Sequence, residues 1–500
     1  MPLKIWTYDL AREQCASREF LSTLCSTSLD AGYDAIGFYL EHRFAYPSAP
    51  WAHGKGALTP DDVVWMRREF PELRLIPFVN LLGHMEGFLY TERGKRFAEE
   101  RFKGLQACPS NPEFVRFANE LLDDVLASFD DEIVHIGGDE TSQLGSCPAC
   151  ARQSKPDLYV QHFAPMCQRL IASGRRPAIW GDMLLEHLSS GELDAVPPSW
   201  LSTIPRETLV FDWQYFQSPA TSTEQLRSLG FDVVCCPTLH TYNSTWLNLE
   251  QAEENVQGAQ EAVGYLNEGF CLTTWECGLM GNYATLLPAI RWAAQPHRGG
   301  LFESYGEAAG WAQLMGVDLV NLGGPFAAGK TRSSLKCRLL LYGNPFLAWQ
   351  HHHEDLAGPL GGRALEIARH AIQVAPDSDY RGVAVFLEKA IEFVRLADEA
   401  RQAYGQGLPG VAVASLAPTR QVFDELEKVA RATHLNAGGS LADIERCRNA
   451  KTHVEVVIRR IRDYGNGSLG YLPSFESLTN PQFCAHDQGS WWRINTWGSD

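Results

Sequence analysis

The sequence predicts an α/β protein, a (β/α)8 TIM barrel followed by a C-terminal α-helical domain. From Leu3 to about Trp292, short apolar runs alternate with amphipathic stretches, the pattern of repeated βα units. We count eight such runs, the number that closes a barrel of this type. After about residue 330, helical periodicity replaces the strand-like runs. We therefore divide the chain into a barrel, residues 1–330, and a helical domain, residues 331–500, that ends in an irregular aromatic tail.

The predicted strands are short and rich in β-branched and aromatic residues. In chain order they are Leu3–Tyr8, Ala35–Leu40, Leu73–Val79, Ile133–Ile136, Pro177–Trp180, Leu209–Trp213, Val233–Cys236 and Cys271–Trp275. The predicted helices include Glu113–Phe129, Leu249–Leu266, Leu365–Val374, Val383–Tyr404, Thr419–His434 and Leu441–Tyr464. An open doubly wound sheet is the structural alternative, but the glycine-rich dinucleotide-binding pattern is missing after the first strand.

Composition restricts the class of protein and its partners. With 45% hydrophobic residues, the 500-residue chain is typical of a globular protein. The formal net charge of −17 argues against nucleic acid or an anionic membrane as partner. We find neither a signal peptide nor an apolar run that could span a bilayer. The chain has thirteen scattered cysteines, a pattern typical of reduced, buried thiols, so we expect a cytoplasmic protein. A signal peptide that has already been removed is the alternative. A homodimer is also open.

The segment Glu132–Glu140 is the most informative stretch of the chain. The run Ile133, Val134 and Ile136 predicts a buried strand, and two glycines follow it where another group must come close. Asp139 and Glu140 then follow the strand, at the end where barrels of this type place catalytic groups. The alternative is a strand followed by a solvated acidic turn.

The string His135-x-Gly137-Gly138-Asp139-Glu140 resembles the signature of glycoside hydrolase family 20, the β-N-acetylhexosaminidases. The resemblance extends over roughly residues 3 to 295. The chain is most similar to family members without the usual N-terminal domain. It implies a retaining exo-β-N-acetylhexosaminidase that removes terminal β-linked GalNAc or GlcNAc from a glycan or glycoconjugate. It also implies that the 2-acetamido group of the substrate is the nucleophile and forms an oxazolinium intermediate.

The adjacent carboxylates suit that chemistry. Most glycosidases need two carboxylates on opposite sides of the sugar, which neighbours in sequence cannot easily supply. The resemblance therefore implies that Glu140 protonates the leaving oxygen while an ionised Asp139 holds the acetamido group. An apolar, aromatic surround would keep the pKa of Glu140 high enough for an acid.

Residues after other strands resemble the rest of the family's pocket. Trp180, Trp213 and Trp275 end three predicted strands, and the resemblance implies that they line the acetamido pocket. A single tryptophan at a strand end more commonly packs in the core. Tyr242 resembles the tyrosine that donates a hydrogen bond to the attacking acetamido oxygen, with His240 as the competitor for that position.

Three further residues are candidates for binding substrate. His84 lies in a Leu-Gly-His loop after the third strand, where a core histidine is the alternative. Glu41 lies in the loop after the second strand. This loop resembles the corresponding loop of family 20 members that lack the N-terminal domain. Arg12 matches an arginine after the first strand, and a helix-cap salt bridge is its alternative role.

The chain departs from the family pattern at Lys4, Ser244 and the adjacent pair Trp275-Glu276. We expect these positions near the distal sugar hydroxyls, where the epimers GlcNAc and GalNAc differ. A lysine cannot fix two hydroxyls as the fork of an arginine can. We therefore expect GalNAc to be accepted at least as well as GlcNAc, with Glu276 or Glu41 contacting O4.

The sequence predicts neither a metal nor another cofactor. Cys147-Pro148-Ala149-Cys150 is half of a zinc pattern, and no second Cys-x-x-Cys or spaced histidine pair completes it. His351-His352-His353-Glu354 is interpreted as a solvated turn. Two other functions stay open: a metal-dependent barrel hydrolase with Asp139, Glu140 and His84 as ligands, and a non-catalytic sugar-binding protein.

Overall fold

The computed structural model describes residues 2–11, 17–100, 105–188, 199–215, 218–239, 245–266, 269–275, 283–296, 299–316, 337–341, 343–356, 359–433, 442–468 and 472–479. Structural statements below concern these residues.

Eight parallel strands form a closed barrel in which each strand pairs with the next along the chain and the last pairs with the first. They are β1 Leu3–Asp9, β2 Ala35–Tyr39, β3 Arg74–Phe78, β4 Ile133–His135, β5 Arg176–Trp180, β6 Leu209–Trp213, β7 Asp232–Cys236 and β8 Gly269–Leu272. The predicted TIM barrel is confirmed.

The predicted end of the eighth strand is wrong. Its pairing with β1 ends where Trp6 lies opposite Leu272, and after one further bridge, between Thr273 and Thr238, the chain leaves the sheet. The Thr274 hydroxyl donates to the Thr7 carbonyl and fixes this departure. Trp275 therefore lies in the loop after β8 rather than in the strand.

The helices are α1 Arg18–Ala31, α2 Pro60–Glu69, α3 Glu86–Leu89, α4 Pro112–Ser128, α5 Lys155–Ala172, α6 Asp182–Leu188, α7 Ala220–Ser228, α8 Leu249–Leu266, α9 Tyr283–Ala293, α10 Ala309–Met315, α11 Phe346–Leu356, α12 Pro359–Val374, α13 Ser378–Gly405, α14 Pro409–Leu416, α15 Thr419–Thr433, α16 Ala442–Gly465 and α17 Phe475–Thr479. Helix α4 begins after an N-cap, since the Asn111 side chain accepts from the Glu113 N–H. Within the described ranges, no helix has the length and apolar character needed to cross a membrane.

The chain forms two compact units. The first contains residues 1–239, 252–275 and 289–299, and the second contains residues 240–251, 276–288 and 300–500. The predicted boundary at residue 330 falls within residues 317–336, which lie outside the described residues. The domain division at that point stays a prediction.

The barrel core explains why these sequences become strands. Inward-facing side chains from all eight strands pack together, and most are β-branched or aromatic. They include Ile5, Tyr39, Phe78, Ile133, Trp180, Phe211, Val234 and Cys271. The core therefore holds the strands in a fixed register, and with it the loops that follow them.

In the second unit, the long helix α13 packs against α11, α12, α14 and α15. The solvated turn expected at His351–Glu354 is wrong, because these residues belong to helix α11. His352 is buried, and the His353 ring stacks on Trp349 at 5.0 Å. Helical periodicity through Trp349 places part of the histidine run on the packed face.

Candidate active site

The glycine pair after β4 forms a turn that only glycine can adopt. Gly137 and Gly138 have φ values of 80° and 102°. A Cβ on Gly138 would lie 2.6 Å from the Tyr159 hydroxyl. The Gly137 N–H donates to Nδ1 of His135 at 3.1 Å, and burial lowers the pKa of His135, which keeps that nitrogen an acceptor. His135 therefore shapes the turn that places the next two residues.

His84 contacts both predicted catalytic carboxylates. Its Nε2 lies 3.3 Å from Oδ2 of Asp139 and 3.0 Å from Oε2 of Glu140. Burial lowers the pKa of His84, but the Tyr39 hydroxyl and the two carboxylates outweigh it and hold that pKa well above its ordinary value. His84, Asp139 and Glu140 thus form one cluster of titratable side chains at the carboxyl ends of β3 and β4.

This pKa shift predicts a pH-dependent contribution to stability. The folded protein favours protonated His84, so its contribution is complete below about pH 6.5 and is lost as pH rises through the folded pKa. We expect the loss of unfolding free energy in His84→Gln, measured in urea, to be larger at about pH 6 than at about pH 9.

His162→Gln is the control for this measurement. Burial lowers the pKa of His162 to about 4, so its contribution is present at high pH and falls as pH drops below about 6.5. The loss in this variant should therefore show the opposite trend. A loss that is equal at both pH values in His84→Gln would mean that His84 is not the charged partner of the carboxylates.

The two carboxylates differ in accessibility. The Asp139 side chain is 12% exposed, and that of Glu140 is 35% exposed. Oδ1 of Asp139 is buried without a hydrogen-bond partner among the described residues, as is Nε1 of Trp180. Asp139 thus keeps a free acceptor in a protected place, while Glu140 can be reached from solvent.

Backbone strain is concentrated at the same site. In the described part of the chain, the non-glycine residues with positive φ are Glu41, His84 and Glu140, at 38°, 47° and 47°. Each follows the carboxyl end of a different strand, β2, β3 or β4. Such conformations cost about 1–3 kcal/mol each and cluster at functional sites. The strain therefore marks these loops as the functional end of the barrel.

Two further carboxylates approach the other side of His84. Its Nδ1 lies 3.8 Å from Oε1 of Glu86, and ligand atoms of Glu41, His84 and Glu86 all lie within 4.8 Å of one another. Over the described ranges, no such group combines Asp139, Glu140 and His84. The metal-dependent function stays an alternative.

Sequence reasoning missed Asp182. Its Oδ2 accepts the Glu140 N–H at 2.9 Å and so holds the strained backbone of that residue. Burial, and then the nearby charge of Asp139, raise the pKa of Asp182 well above its ordinary value. The signal was present, since Trp180-Gly181-Asp182 repeats at β5 the pattern of a strand end, a glycine and a carboxylate found at β4.

The three tryptophans occupy different environments. Trp180 is fully buried in the barrel core, against His135 and Phe211, whereas Trp213 and Trp275 are only partly buried. Nε1 of Trp275 donates to the Tyr215 hydroxyl at 2.5 Å, and the Tyr39 ring lies 4.8 Å from the Trp275 ring. Tyr39 and Tyr215 are aromatic members of this site that the sequence did not predict. That the tryptophans line the acetamido pocket stays a prediction.

These environments predict different effects of truncation. Trp180→Ala should lower the unfolding free energy by about 3–5 kcal/mol, as expected for a buried tryptophan. Trp275→Ala should cost less stability and should raise KM through lost stacking of about 0.5–1.5 kcal/mol. Denaturation and kinetics per folded molecule check both. A normal KM in Trp213→Ala and Trp275→Ala would remove these residues from the pocket.

The expected place of Lys4 is wrong. Lys4 lies at the beginning of β1, and its Nζ donates to the Ala294 carbonyl at 2.9 Å. Its backbone N–H donates to Asp34, just before β2. Lys4 is therefore at the amino end of the barrel strands, opposite Asp139 and Glu140, and cannot contact the sugar hydroxyls.

Some predicted residues lie outside the described residues. These are Arg12, Tyr242 and Glu276, together with His240 and Ser244. Their predicted roles stay predictions. The structure brings together Asp139, Glu140 and His84, with Glu41 next to His84.

Residues 85–277 match the model of a family described as Glycosyl hydrolase family 20, catalytic domain. The resemblance to glycoside hydrolase family 20 is confirmed. The matched span contains Asp139, Glu140 and the three tryptophans, and it begins directly after His84. The family 20 signature thus coincides with the residues that the structure places together.

Individual relatives cover limited parts of the chain. Over 116 residues, the sequence is 34% identical to beta-hexosaminidase A of Caenorhabditis briggsae. This match covers 20% of this chain and 21% of that protein. The chain thus spans about a fifth of the length of this curated relative.

Two solved structures also resemble the chain. The beta-N-acetylhexosaminidase from Bacteroides fragilis NCTC 9343 is 16% identical, with a TM-score of 0.46, over 59% of this chain and 65% of that one. The GH20 exo beta-N-acetylglucosaminidase from Vibrio harveyi is 15% identical, with a TM-score of 0.47, over 63% and 58%. Likeness at this level carries no information on the substrate of this chain.

Proposed function

We propose that this protein is a retaining exo-β-N-acetylhexosaminidase that removes terminal β-linked GalNAc or GlcNAc from glycans or glycoconjugates. One observation carries the proposal. Asp139 and Glu140, adjacent in sequence, share the His84 imidazole at the strand ends of a barrel whose sequence matches the family 20 catalytic domain.

Asp139 suits the task of holding the acetamido group of the substrate. Its unpaired, buried Oδ1 can accept the acetamido N–H, which aims the carbonyl oxygen at the anomeric carbon. Attack by that oxygen forms the C1–O bond of an oxazolinium ion as the glycosidic bond breaks. The negative charge of Asp139 stabilises the positive charge that develops on the ring.

Glu140 suits the task of general acid, because its side chain is accessible to a leaving group. It would give its proton to the glycosidic oxygen and then, as a carboxylate, take a proton from the water that opens the oxazolinium ion. The charged His84 beside it stabilises the carboxylate formed in the first step.

The remaining predicted residues complete the proposed site. Tyr242 would donate to the attacking acetamido oxygen, while Arg12, Glu41 and Glu276 would bind sugar hydroxyls. Because Lys4 lies at the opposite end of the barrel, the expected acceptance of GalNAc now rests on Ser244, Glu276 and Glu41. We still propose that GalNAc is accepted at least as well as GlcNAc. A cytoplasmic location is proposed as well, and the free thiols of the described cysteines support it.

Parallel rates on p-nitrophenyl β-GalNAc, β-GlcNAc and β-glucoside test the proposal. Both acetamido sugars should be hydrolysed, and the glucoside should not, because it lacks the nucleophile. A thiazoline analogue of the cyclised intermediate should bind far more tightly than the free sugar.

Several results would contradict parts of this proposal. Comparable hydrolysis of the glucoside, or a glycosyl ester on either carboxylate, would rule out substrate assistance. No turnover of either acetamido sugar would favour the sugar-binding alternative. A preference for GlcNAc above about tenfold in kcat/KM, roughly 1.4 kcal/mol, would show an intact O4 site built from other residues.

A further inference from the structure

Two loops of the barrel unit bring three cysteines and a glutamate together. Glu99 and Cys108 lie between β3 and α4, and Cys147 and Cys150 lie between β4 and α5. We call these four residues the cysteine cluster. Their ligand atoms, three sulfurs and a carboxylate oxygen, all lie within 4.8 Å of one another. Cys108 thus completes the half pattern Cys147-x-x-Cys150 from a position 39 residues before Cys147.

The spacing inside the cluster suits one tetrahedral ion. Cys108 Sγ lies 3.4 Å from Cys147 Sγ and 3.5 Å from Cys150 Sγ, and Cys150 Sγ lies 3.5 Å from Oε2 of Glu99. Ligands about 2.0–2.3 Å from a central zinc ion are roughly 3.5–3.8 Å apart in a tetrahedron. Small adjustments of these side chains would therefore place all four around a common centre.

The buried carboxylate of Glu99 contacts the cysteines of the cluster. Glu99, Cys108 and Cys150 are buried, and Cys147 is partly buried. Oε1 of Glu99 accepts the Cys147 N–H at 3.2 Å, and the ion pairs formed by described residues do not include Glu99. A cation is a favourable neighbour for a buried carboxylate, so an ion bound here would add a charge contact to Glu99.

The backbone around the cluster is already ordered for ligation. The Cys150 and Ala151 N–H groups donate to the Cys147 carbonyl and form a tight turn. On the other loop, Glu99 and Cys108 are fixed by backbone hydrogen bonds to Gln106 and Phe97. Ser110 Oγ lies 3.2 Å from Cys150 Sγ and can donate to a thiolate, the outer-shell contact that orients metal ligands.

We propose that Glu99, Cys108, Cys147 and Cys150 bind one zinc ion in a closed, structural site. Three thiolates exclude hard cations such as Mg²⁺ and Ca²⁺, and four protein ligands leave no position for substrate. A disulfide is the competing use of these cysteines, but it would join only two sulfurs and leave the third thiol and the carboxylate unused.

Such an ion would fix the loops of the candidate active site. The Ala107 N–H donates to Leu82, and the Met85 N–H donates to Leu105, so the Cys108 loop is tied to the loop that carries His84. The Gln143 N–H donates to Oε1 of Gln106, which links that loop to the one after Asp139 and Glu140. Zinc would clamp these two loops together from outside the site.

Zinc content and thermal stability of the full chain test the proposal. Protein purified under reducing conditions with zinc should carry one tightly bound zinc per chain, and cobalt in its place should show thiolate-to-metal charge-transfer bands. Cys147→Ser and Glu99→Gln should each lower the zinc content. A zinc chelator should lower the Tm of the wild type but should barely change that of Cys147→Ser. Cys25→Ser, at a buried cysteine in α1, should behave as the wild type does.

Thiol alkylation of the wild type keeps the test decisive if a variant does not fold. Zinc should protect Cys108, Cys147 and Cys150, and the chelator should expose them. The proposal is overturned if the zinc-treated protein holds no zinc, if the variants keep it, or if a disulfide links two of these cysteines under reducing conditions. Because hydrolysis is not the readout, these results are independent of the proposed glycosidase activity.

Discussion

Replacing Glu140 with Gln should lower kcat/KM by about 10²- to 10⁴-fold on a natural disaccharide, the usual contribution of a general acid. An amide cannot give a proton to the leaving oxygen. An activated aryl leaving group needs little protonation, so the same variant should lose much less on p-nitrophenyl substrates. The ratio of the two losses, measured as kcat/KM on both substrates, identifies the acid.

Glu132→Gln is the matched control. Glu132 lies directly before β4, at the opposite end from Glu140, and its side chain is 67% exposed and paired with Arg74. It should keep wild-type rates on both substrates. Equal losses on the disaccharide and the aryl glycoside in Glu140→Gln would assign Glu140 to another step, and near-normal activity on the disaccharide would remove it from the reaction.

The strands could be predicted from sequence because their signal is local. Each is a short run of apolar residues covered on both faces. This sequence pattern is visible without knowing which elements pack against the strand. The end of β8 could not be predicted, because it depends on where its pairing with β1 ends, although β1 itself continues to Asp9. The number of paired residues is a property of two strands together, and the composition of one strand does not predict it.

The candidate site was predictable where a strand end precedes a polar residue. Asp139, Glu140 and His84 all follow this rule, and the same rule could have identified Asp182. The expected position of Lys4 was wrong because a resemblance to a sequence motif does not show at which end of a parallel strand a residue lies. The amino and carboxyl ends of a barrel strand have different functions, and only the latter carries the site.

The cysteine cluster shows a different limit of sequence reasoning. Cys147 and Cys150 resemble half a metal site, and their partners lie in another loop at a spacing outside the usual zinc patterns. That loop approaches because β3 and β4 are neighbours in the barrel. Ligands brought together by sheet order become visible only when the strands have been placed.

Asp139→Asn should lower kcat on N-acetylhexosaminides by about 10²- to 10³-fold, the typical cost of losing one preorganised electrostatic contact. Asparagine can present its amide oxygen to the acetamido N–H, but it lacks the charge that stabilises the oxazolinium ion. Asp130→Asn, at an exposed carboxylate just before β4, is the control and should keep normal kinetics.

The dependence on the leaving group separates Asp139 from Glu140. Ring closure by the acetamido oxygen is required whatever group departs, so the loss in Asp139→Asn should be similar on a disaccharide and on a p-nitrophenyl glycoside. In Glu140→Gln the loss should shrink on the aryl substrate. If Asp139→Asn instead shows the shrinking loss, the two carboxylates have exchanged roles, and His84, which contacts both, would stabilise the nucleophile-holding group rather than the acid.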